Sequence, residues 1–332
     1  MGKRLPMSIP YGWFFIAYAD DLPRGKVQTV HYFNKEMVLF RTENGEIGLL
    51  DAFCLHMGAH LGHGGKVEGE SIRCPFHDWK FNTKGQCTEV PYSKTMPPSL
   101  KTKKKCQKTY HAVEKNKVIW AWYHPEDKEP FFDVMEHDEI GHPDWVELEK
   151  FEWRFASNPQ EIAENGVDVA HFQYVHGMAS VPEGKTTYDG VIRKSMAEGT
   201  RDIKQPDGSV KTKNSRVETI QNGAGQKYTR ISGLTDTFLM VLATPITDED
   251  VELRFAFTYK KCNPESMEYK AAKGTIKTLI GKTGVEGDIP IWENKIFHKY
   301  PLLCDGDGPI MRFRKYFGQF YCQQNKLNNQ VS

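Results

Sequence analysis

The sequence predicts an α+β protein with an all-β domain over residues 1–125 and a domain of antiparallel sheet and helices over residues 126–332. Three observations predict this class. The chain has 332 residues, which is more than one ordinary hydrophobic core accommodates. Its first part contains short strand-like runs separated by turns. Its second part has helical patterns before and after a stretch of strands.

The all-β character of the first domain comes from short β-branched and aromatic runs. Residues 27–33 and 36–41 have the composition of strands. An Asn-Gly pair then predicts a tight hairpin turn before a return strand at residues 46–50. The run VIWAWY at residues 118–123 predicts a further strand close to the end of this domain.

The second domain combines helices with a sheet. Asn158 is a predicted helix cap, Pro159 suits the first helical position, and Glu161 can complete a capping box. Residues 251–258 alternate between apolar and polar side chains, which predicts a strand with one buried face and one solvated face. Residues 267–298 have a helical pattern, so a helix closes the domain.

Composition excludes several classes of protein. The chain has 44 Lys and Arg against 43 Asp and Glu, so nothing predicts binding to nucleic acid. The apolar runs are too short to span a bilayer, and the N-terminus lacks the pattern of a signal peptide, so we expect a cytoplasmic protein with no membrane span. Seven scattered cysteines argue against a disulfide framework and favour reduced thiols, some of them metal ligands.

The densest group of potential ligands is CLHMGAHLGHGGKVEGESIRCPFHDW, which begins at Cys54. Within it, Cys54 and His56 form C-x-H, and Cys74 and His77 form C-x-x-H. Each pair offers one soft thiolate and one imidazole on a short loop that contains glycine or proline. This pairing is hard to obtain by chance in a loop of solvated histidines.

Two metal sites compete for these four residues. A structural zinc site would normally combine C-x-x-C with H-x-x-x-H, which is a different order. A Rieske 2Fe–2S cluster needs two thiolates on one iron and two imidazoles on the other, so each loop supplies one ligand to each iron. The interleaved pattern therefore favours the Rieske cluster. His60 and His63 lie outside the pattern and are interpreted as solvated or hydrogen-bonding groups.

A second motif, D-x-x-H-x-x-x-x-H, lies in the second domain. Asp168 and His171 are three residues apart near the end of the helix that Asn158 caps, and His176 follows. Two histidines and a carboxylate form the facial triad of non-haem Fe(II) oxygenases. The competing interpretation is a helix end that stabilises a histidine. Asp168 and Asp288 are both candidates for the carboxylate, and spacing alone leaves that choice open.

Together these residues resemble the oxygenase component of a Rieske non-haem iron oxygenase, over nearly the whole chain. Rieske electron carriers of quinol-oxidising complexes have an additional cysteine in each ligand loop. The corresponding places here hold Gly58, Ala59, Asp78 and Trp79. The resemblance implies a Rieske domain followed by a helix-grip domain, in which an antiparallel sheet wraps around helices.

The same resemblance implies the cofactors and the assembly. The cofactors are a 2Fe–2S cluster and a mononuclear non-haem Fe(II), with O₂ as co-substrate and NAD(P)H acting through a reductase or ferredoxin. The carboxylate ligand comes from a C-terminal helix, which implies Asp288. Asp168 is then an inter-subunit bridge that links His171 to His77 of a neighbouring subunit. A bridge of this kind implies a homotrimer in which electrons cross between chains.

Several stretches are similar to the steroid branch of these oxygenases, which includes 3-ketosteroid 9α-hydroxylase and the sterol 7-desaturases. They are RCPFHDWKF, VPYSK, DVAHFQYVHG, PLLCDGDGPI and FRKYFGQFY. The resemblance therefore implies a terminal monooxygenase that oxidises a C–H bond of a hydrophobic steroid or sterol. The alternative is a Rieske oxygenase that hydroxylates or demethylates an aromatic or heterocyclic compound.

Overall fold

The computed structural model describes residues 4–102, 106–177, 184–204 and 209–322. The chain forms two compact units, one of Trp13–Phe131 and one that combines Met1–Gly12 with Phe132–Ser332. The boundary that the sequence predicts after residue 125 stays a prediction. No helix among the described residues is long and apolar enough to cross a membrane.

The first unit is built from three small antiparallel sheets, with strand orders β1-β10-β9, β2-β3-β4 and β5-β6-β7-β8. Its elements are β1 Gly12–Tyr18, β2 Val27–Tyr32, β3 Lys35–Arg41, β4 Ile47–Asp51, β5 Lys66–Glu68, β6 Ser71–Arg73, β7 Lys80–Asn82, β8 Cys87–Glu89, α1 Pro98–Lys101, β9 Ala112–Lys115 and β10 Val118–Tyr123. The predicted Asn-Gly hairpin joins β3 to β4, and Gly45 has a positive φ of 102°. The connection is longer than the two-residue type I′ turn that the pair predicts, because the last paired residues are Arg41 and Ile47. One hydrophobic core joins β3 and β4 to the β5–β8 sheet and to the buried side chains of Cys54 and Cys74.

The second unit is built around one antiparallel sheet of seven strands, in the order β11-β17-β16-β15-β14-β13-β12. Its elements are β11 Glu149–Ala156, α2 Pro159–Glu164, α3 Val169–Tyr174, β12 Gly184–Asp189, β13 Ile192–Lys204, β14 Val210–Asn222, β15 Gln226–Ser232, β16 Thr237–Pro245, β17 Asp250–Tyr259, α4 Met267–Ile280, α5 Val285–Asn294 and α6 Ile310–Phe317. An all-β unit and a unit of antiparallel sheet with helices confirm the predicted α+β class.

Helices cover one face of the large sheet. Leu239 and Val241 of β16 lie opposite Phe257 and Phe255 of β17, so these side chains share a face. The core on this face also contains apolar residues of α4 and α5, including Trp292. The apolar side chains on this face of the sheet are therefore buried against α4 and α5, and this packing fixes α5 beside the sheet.

The opposite face of β17 differs from the prediction. The polar side chains at alternate positions were expected in solvent, but Glu252 and Thr258 are completely buried. The Glu252 carboxylate pairs with Arg154 and Arg254, and the Thr258 hydroxyl donates to the carbonyl of Val146. The prediction was wrong for these two residues because each finds a partner that replaces water: Val146, just before β11, for Thr258, and arginines of β11 and β17 for Glu252.

The predicted helix after Asn158 is also different. Asn158 does cap α2, since its side chain accepts a hydrogen bond from the Gln160 N–H at 2.9 Å. The Glu161 carboxylate does not close a capping box; it pairs with Lys295 at 2.6 Å. The helix ends at Glu164, and a second helix, α3, begins after a short turn.

Candidate metal centres

The first ligand loop follows β4. The Cys54 N–H donates to the Ala59 carbonyl at 2.8 Å, and the Gly58 N–H donates to the Cys54 carbonyl at 2.8 Å. Gly58 has a φ of +75°, a conformation that glycine adopts without strain. These bonds fold the loop back on itself and hold its backbone around the cysteine.

The second ligand loop, which follows β6, repeats this pattern. The Cys74 N–H donates to the Trp79 carbonyl at 2.8 Å, and the Asp78 N–H donates to the Cys74 carbonyl at 3.1 Å. Asp78 occupies the position of the glycine in the first loop, and its φ is +58°. Aspartate tolerates this conformation better than most residues. The two loops are therefore equivalent in backbone, although the histidine spacing differs.

The folded loops sort the four predicted ligands by chemistry. Cys54 and Cys74 are 3% and 2% exposed, and their thiols lie close enough to interact directly. His56 and His77 are half-buried, with ring centroids 4.8 Å apart. Paired thiols on the inner side and paired imidazoles on the outer side match the donor set of a Rieske cluster.

The thiol pair also fits a metal cluster electrostatically. Burial raises the pKa of the Cys54 thiol to about 12, and the neighbouring Cys74 adds to this shift. Two buried thiolates side by side would repel each other, so they need a bound cation to be ionised. A cluster that accepts both sulfurs removes this conflict.

The second candidate centre begins at α3, whose N-cap is Asp168. The Asp168 side chain accepts a hydrogen bond from the His171 N–H at 3.2 Å. The His171 Nδ1 lies 2.7 Å from the Asp168 carbonyl oxygen. This contact leaves Nε2 of His171 available for a metal.

His176 and Asp288 complete this group. The His176 Nε2 lies 3.5 Å from an Asp288 carboxylate oxygen, and ligand atoms of His171, His176 and Asp288 all lie within 4.8 Å of one another. Asp288 belongs to the first turn of α5, and Pro290 is accommodated inside that helix. Of the two candidate carboxylates, the structure brings Asp288 into this group, and Asp168 serves as the helix cap. Two imidazoles and one carboxylate fit the facial donor set of a non-haem iron.

Comparison with protein families identifies the chain. Residues 12–111 match the Rieske 2Fe–2S domain, and residues 121–321 match the 3-ketosteroid 9α-hydroxylase C-terminal domain. The chain belongs to the Rieske non-haem iron oxygenases. Members of this family use a 2Fe–2S cluster, a mononuclear iron, O₂ and electrons that a separate reductase takes from NAD(P)H.

The chain is similar to steroid and sterol oxygenases in sequence and to a further oxygenase in fold. The oxygenase component of 3-ketosteroid-9-alpha-monooxygenase from Rhodococcus rhodochrous is 32% identical, over 93% of this chain and 82% of the relative. Cholesterol 7-desaturase from Bombyx mori is 28% identical, over 98% of this chain and 72% of the relative. Dicamba monooxygenase bound to dicamba has the same fold, with a TM-score of 0.71 at 16% identity, and the match covers 96% of this chain and 98% of that one.

The oxygenase holds its first ligand loop with Gln107, which the sequence did not reveal. This side chain is 2% exposed; its Nε2 donates to the carbonyls of Asp51 and Phe53, and its Oε1 accepts from the Leu55 N–H. The partners are more than fifty positions away in sequence. No local pattern marks such a residue.

Trp79 supports the imidazole side of the Rieske loops. Its ring stacks on that of His56, with centroids 4.2 Å apart and an interplanar angle of 10°. Its indole N–H donates to the Tyr92 hydroxyl at 2.9 Å. The off-pattern His60 has partners of its own, since its Nδ1 accepts from the Gly62 N–H and its Nε2 lies 3.4 Å from Glu36.

Asn165 supports the mononuclear site and was also missed. Its side chain forms a hydrogen bond with the Asp288 carboxylate, and its Oδ1 accepts from the Trp292 indole N–H at 3.2 Å. Burial raises the pKa of Asp288 to about 7, while the bond from Asn165 acts in the opposite direction. Asn165 precedes Asp168 by three residues. This proximity to the second motif is the sequence feature that could have indicated a role at the site.

Proposed function

We propose that this chain is the terminal oxygenase of a multicomponent system that oxidises a C–H bond of a steroid or sterol. The observation that carries the proposal is the match of residues 121–321, the region that contains the mononuclear site, to the 3-ketosteroid 9α-hydroxylase C-terminal domain. The partner is a reductase or ferredoxin that supplies electrons.

The geometry supports a specific assignment of ligands. Cys54 and Cys74 would hold one iron of the cluster, and His56 and His77 the other. His171, His176 and Asp288 would hold the mononuclear iron, which supplies O₂ activation when bound. The chain's own part is positional: the Asp168 carbonyl fixes the ring of His171, and Asn165 fixes the carboxylate of Asp288.

We also propose that Asp168 is the electron bridge between neighbouring subunits of a homotrimer. Its side chain is 37% exposed and its carboxylate lies 3.8 Å from the His171 Nδ1, so it can accept a second hydrogen bond from outside. Scattered cysteines, two of which are the buried thiols Cys54 and Cys74, support a reducing, cytoplasmic location.

Asp168→Asn tests the bridge without removing the helix cap, because asparagine caps helices as well as aspartate does. We expect the cluster to be reduced by the reductase as before, while its reoxidation in the presence of O₂ and substrate becomes at least tenfold slower. Unchanged reoxidation would contradict the bridge. Mass measurement of the intact assembly tests the trimer.

Product analysis tests the proposed substrate class. The oxygenase is incubated with a surrogate reductase, NADH and either a panel of 3-ketosteroids and sterols or a panel of aromatic acids and methylxanthines. We expect oxygenated or desaturated product, with matching O₂ uptake, from the steroid panel. Turnover of the aromatic panel alone would establish the alternative. Asp288→Ala is the control that should abolish turnover of either panel.

A further inference from the structure

Four polar residues form a row across the large sheet. In the strand register, Tyr188 of β12 lies opposite Arg193 of β13, Arg193 lies opposite Gln221 of β14, and Gln221 lies opposite Lys227 of β15. Directly opposed residues project from the same face of a sheet. The row therefore places two cations on one face with a tyrosine and a glutamine.

This row faces the turn that carries the mononuclear site. The Arg193 Nη2 donates to the Gly166 carbonyl at 3.1 Å. A Cβ atom added to Gly166 would lie 3.3 Å from the Lys227 Nζ and 3.8 Å from the Arg193 Nη1. Both cationic groups thus lie against the backbone between Asn165 and Asp168.

Arg193 has unused hydrogen-bonding capacity in a place where water is excluded. The residue is 1% exposed, yet its Nε and Nη1 have no hydrogen-bond partner among the described residues. The Gln221 amide oxygen in the same row is also buried without a partner, while the Tyr188 hydroxyl lies close enough to Arg193 to interact with its guanidinium group. Buried polar atoms are almost always satisfied, so a group of orphaned atoms indicates a missing ligand.

The charges of the row have no close counter-ion. Within the described residues, neither Arg193 nor Lys227 forms an ion pair with a carboxylate, and the one carboxylate whose charge favours the protonated Lys227 is Asp288, which is itself a proposed ligand of the iron. The buried acids of α2 have other partners, since Glu161 pairs with Lys295 and Glu164 pairs with Arg314. Burial lowers the pKa of Lys227 to about 8, and the charge of Arg193 adds to the shift. A bound anion would raise the pKa of Lys227 again, because its negative charge favours the protonated amine.

Lys227 is not completely enclosed by protein. The side chain lies deep in the unit, yet part of it remains accessible to solvent. Farther along the same face, the neighbouring row pairs the hydroxyls of Thr219 and Thr229 at 3.2 Å. This half of the face is polar, whereas the half formed by Leu239 and Val241 packs against α4 and α5.

We propose that Arg193 and Lys227 form a subsite that binds a carboxylate group of the substrate beside the mononuclear site. A carboxylate accepts from guanidinium and ammonium groups at once, and it neutralises the charge that the fold leaves unpaired. The inference rests on the proposed function and narrows its substrate from a neutral steroid to a steroid acid.

Equilibrium binding under anaerobic conditions tests the subsite. The probes are a 3-ketosteroid with a side-chain carboxylate and its methyl ester, together with an aromatic acid and its methyl ester. The variants are Lys227→Met, which removes the charge at similar volume, and Lys194→Met, an exposed control from the other face of β13. Iron content of each variant is measured in parallel.

We expect the wild-type protein to bind the steroid acid at least tenfold more tightly than its ester. Lys227→Met should bind the two equally and retain its iron, and Lys194→Met should behave as wild type. Equal binding of steroid acid and ester by the wild-type protein would overturn the subsite and leave the steroid function standing, whether or not the variant folds. Loss of ester and acid binding alike in Lys227→Met would overturn it too. Lys227-dependent binding of the aromatic acid alone would support the subsite and overturn the steroid function.

Discussion

The four proposed cluster ligands come from two loops with the same backbone pattern, whereas the three proposed ligands of the mononuclear iron come from widely separated parts of the second unit. Each cluster loop closes through its own hydrogen bonds, around Cys54 in one and Cys74 in the other. His171 and His176 also lie close together in sequence, but Asp288 reaches them from α5, after six of the seven strands of the large sheet.

This difference shows two ways in which a protein can position metal ligands, by local hydrogen bonds within a loop and by tertiary packing of distant elements. A loop that closes on itself orients its ligands with few long-range contacts. A site that needs a helix from the far end of the unit depends on the packing of that helix, and here on one half-buried amide, Asn165. The cluster residues should therefore be sensitive to local backbone changes, and the mononuclear site to changes in packing and in the residues that hold its ligands.

The largest expected effect is the selective loss of either centre. Cys74→Ala should abolish the red-brown visible absorption and the acid-labile sulfide, because a thiolate ligand of the cluster is removed. The mononuclear iron should remain, since no residue of that group changes. Simultaneous loss of both would contradict the separation of the two centres. The measurements are visible spectroscopy and iron and sulfide content.

Asp288→Ala should produce the opposite result. We expect the mononuclear iron to be lost while the visible spectrum of the cluster is retained, because the protein then offers two imidazoles and no carboxylate. Asp305→Ala, an exposed aspartate of the same C-terminal region, is the matched control and should keep both. Full iron occupancy in the Asp288 variant would place the third ligand elsewhere.

Gln107→Leu tests the long-range support of the first cluster loop. The change leaves two carbonyls and one N–H without a partner, so we expect the free energy of unfolding of the first unit to fall by about 3 kcal/mol. Chemical denaturation measures this loss, and bleaching of the visible spectrum should accelerate in parallel. An unchanged denaturation midpoint would show that the hydrogen bonds within the loop are sufficient to hold it.

Asn165→Ala should weaken the mononuclear site without destroying it. Removal of a group that orients a ligand typically lowers metal affinity by about 10- to 100-fold. Competition with a chelator measures the affinity, and the cluster spectrum serves as the internal control. Affinity equal to that of wild type would mean that the packing of α5 is enough to orient Asp288.

The smallest expected effect concerns the equivalent turn positions of the two cluster loops. Gly58→Ala should cost about 1 kcal/mol, because alanine resists a φ of +75°. Asp78→Gly should change stability by less than about 1 kcal/mol, because relief of the backbone offsets the loss of the Arg73 ion pair, which lies near the surface. Thermal unfolding of both variants provides the comparison. Equal losses of stability in the two variants would contradict the equivalence of the loops, because glycine should be favoured at this position in both.

The sequence alone determined the domain class, the chemistry of both centres and the position of the turn after β3. It could do so because C-x-H, C-x-x-H and H-x-x-x-x-H place their ligands within one or two turns of chain, where local geometry brings them together. The asparagine cap of α2 was predictable for the same reason, since a cap and its partner are two residues apart.

The tertiary structure decided everything that depends on residues distant in sequence. It brought Asp288 rather than Asp168 to the two histidines, and it divided a predicted single helix into α2 and α3. It buried the polar face of β17, and it aligned Arg193 with Lys227 through the register of three strands. The residue type determines which interactions a side chain can form. Packing determines which partners lie within reach and whether the side chain is removed from water.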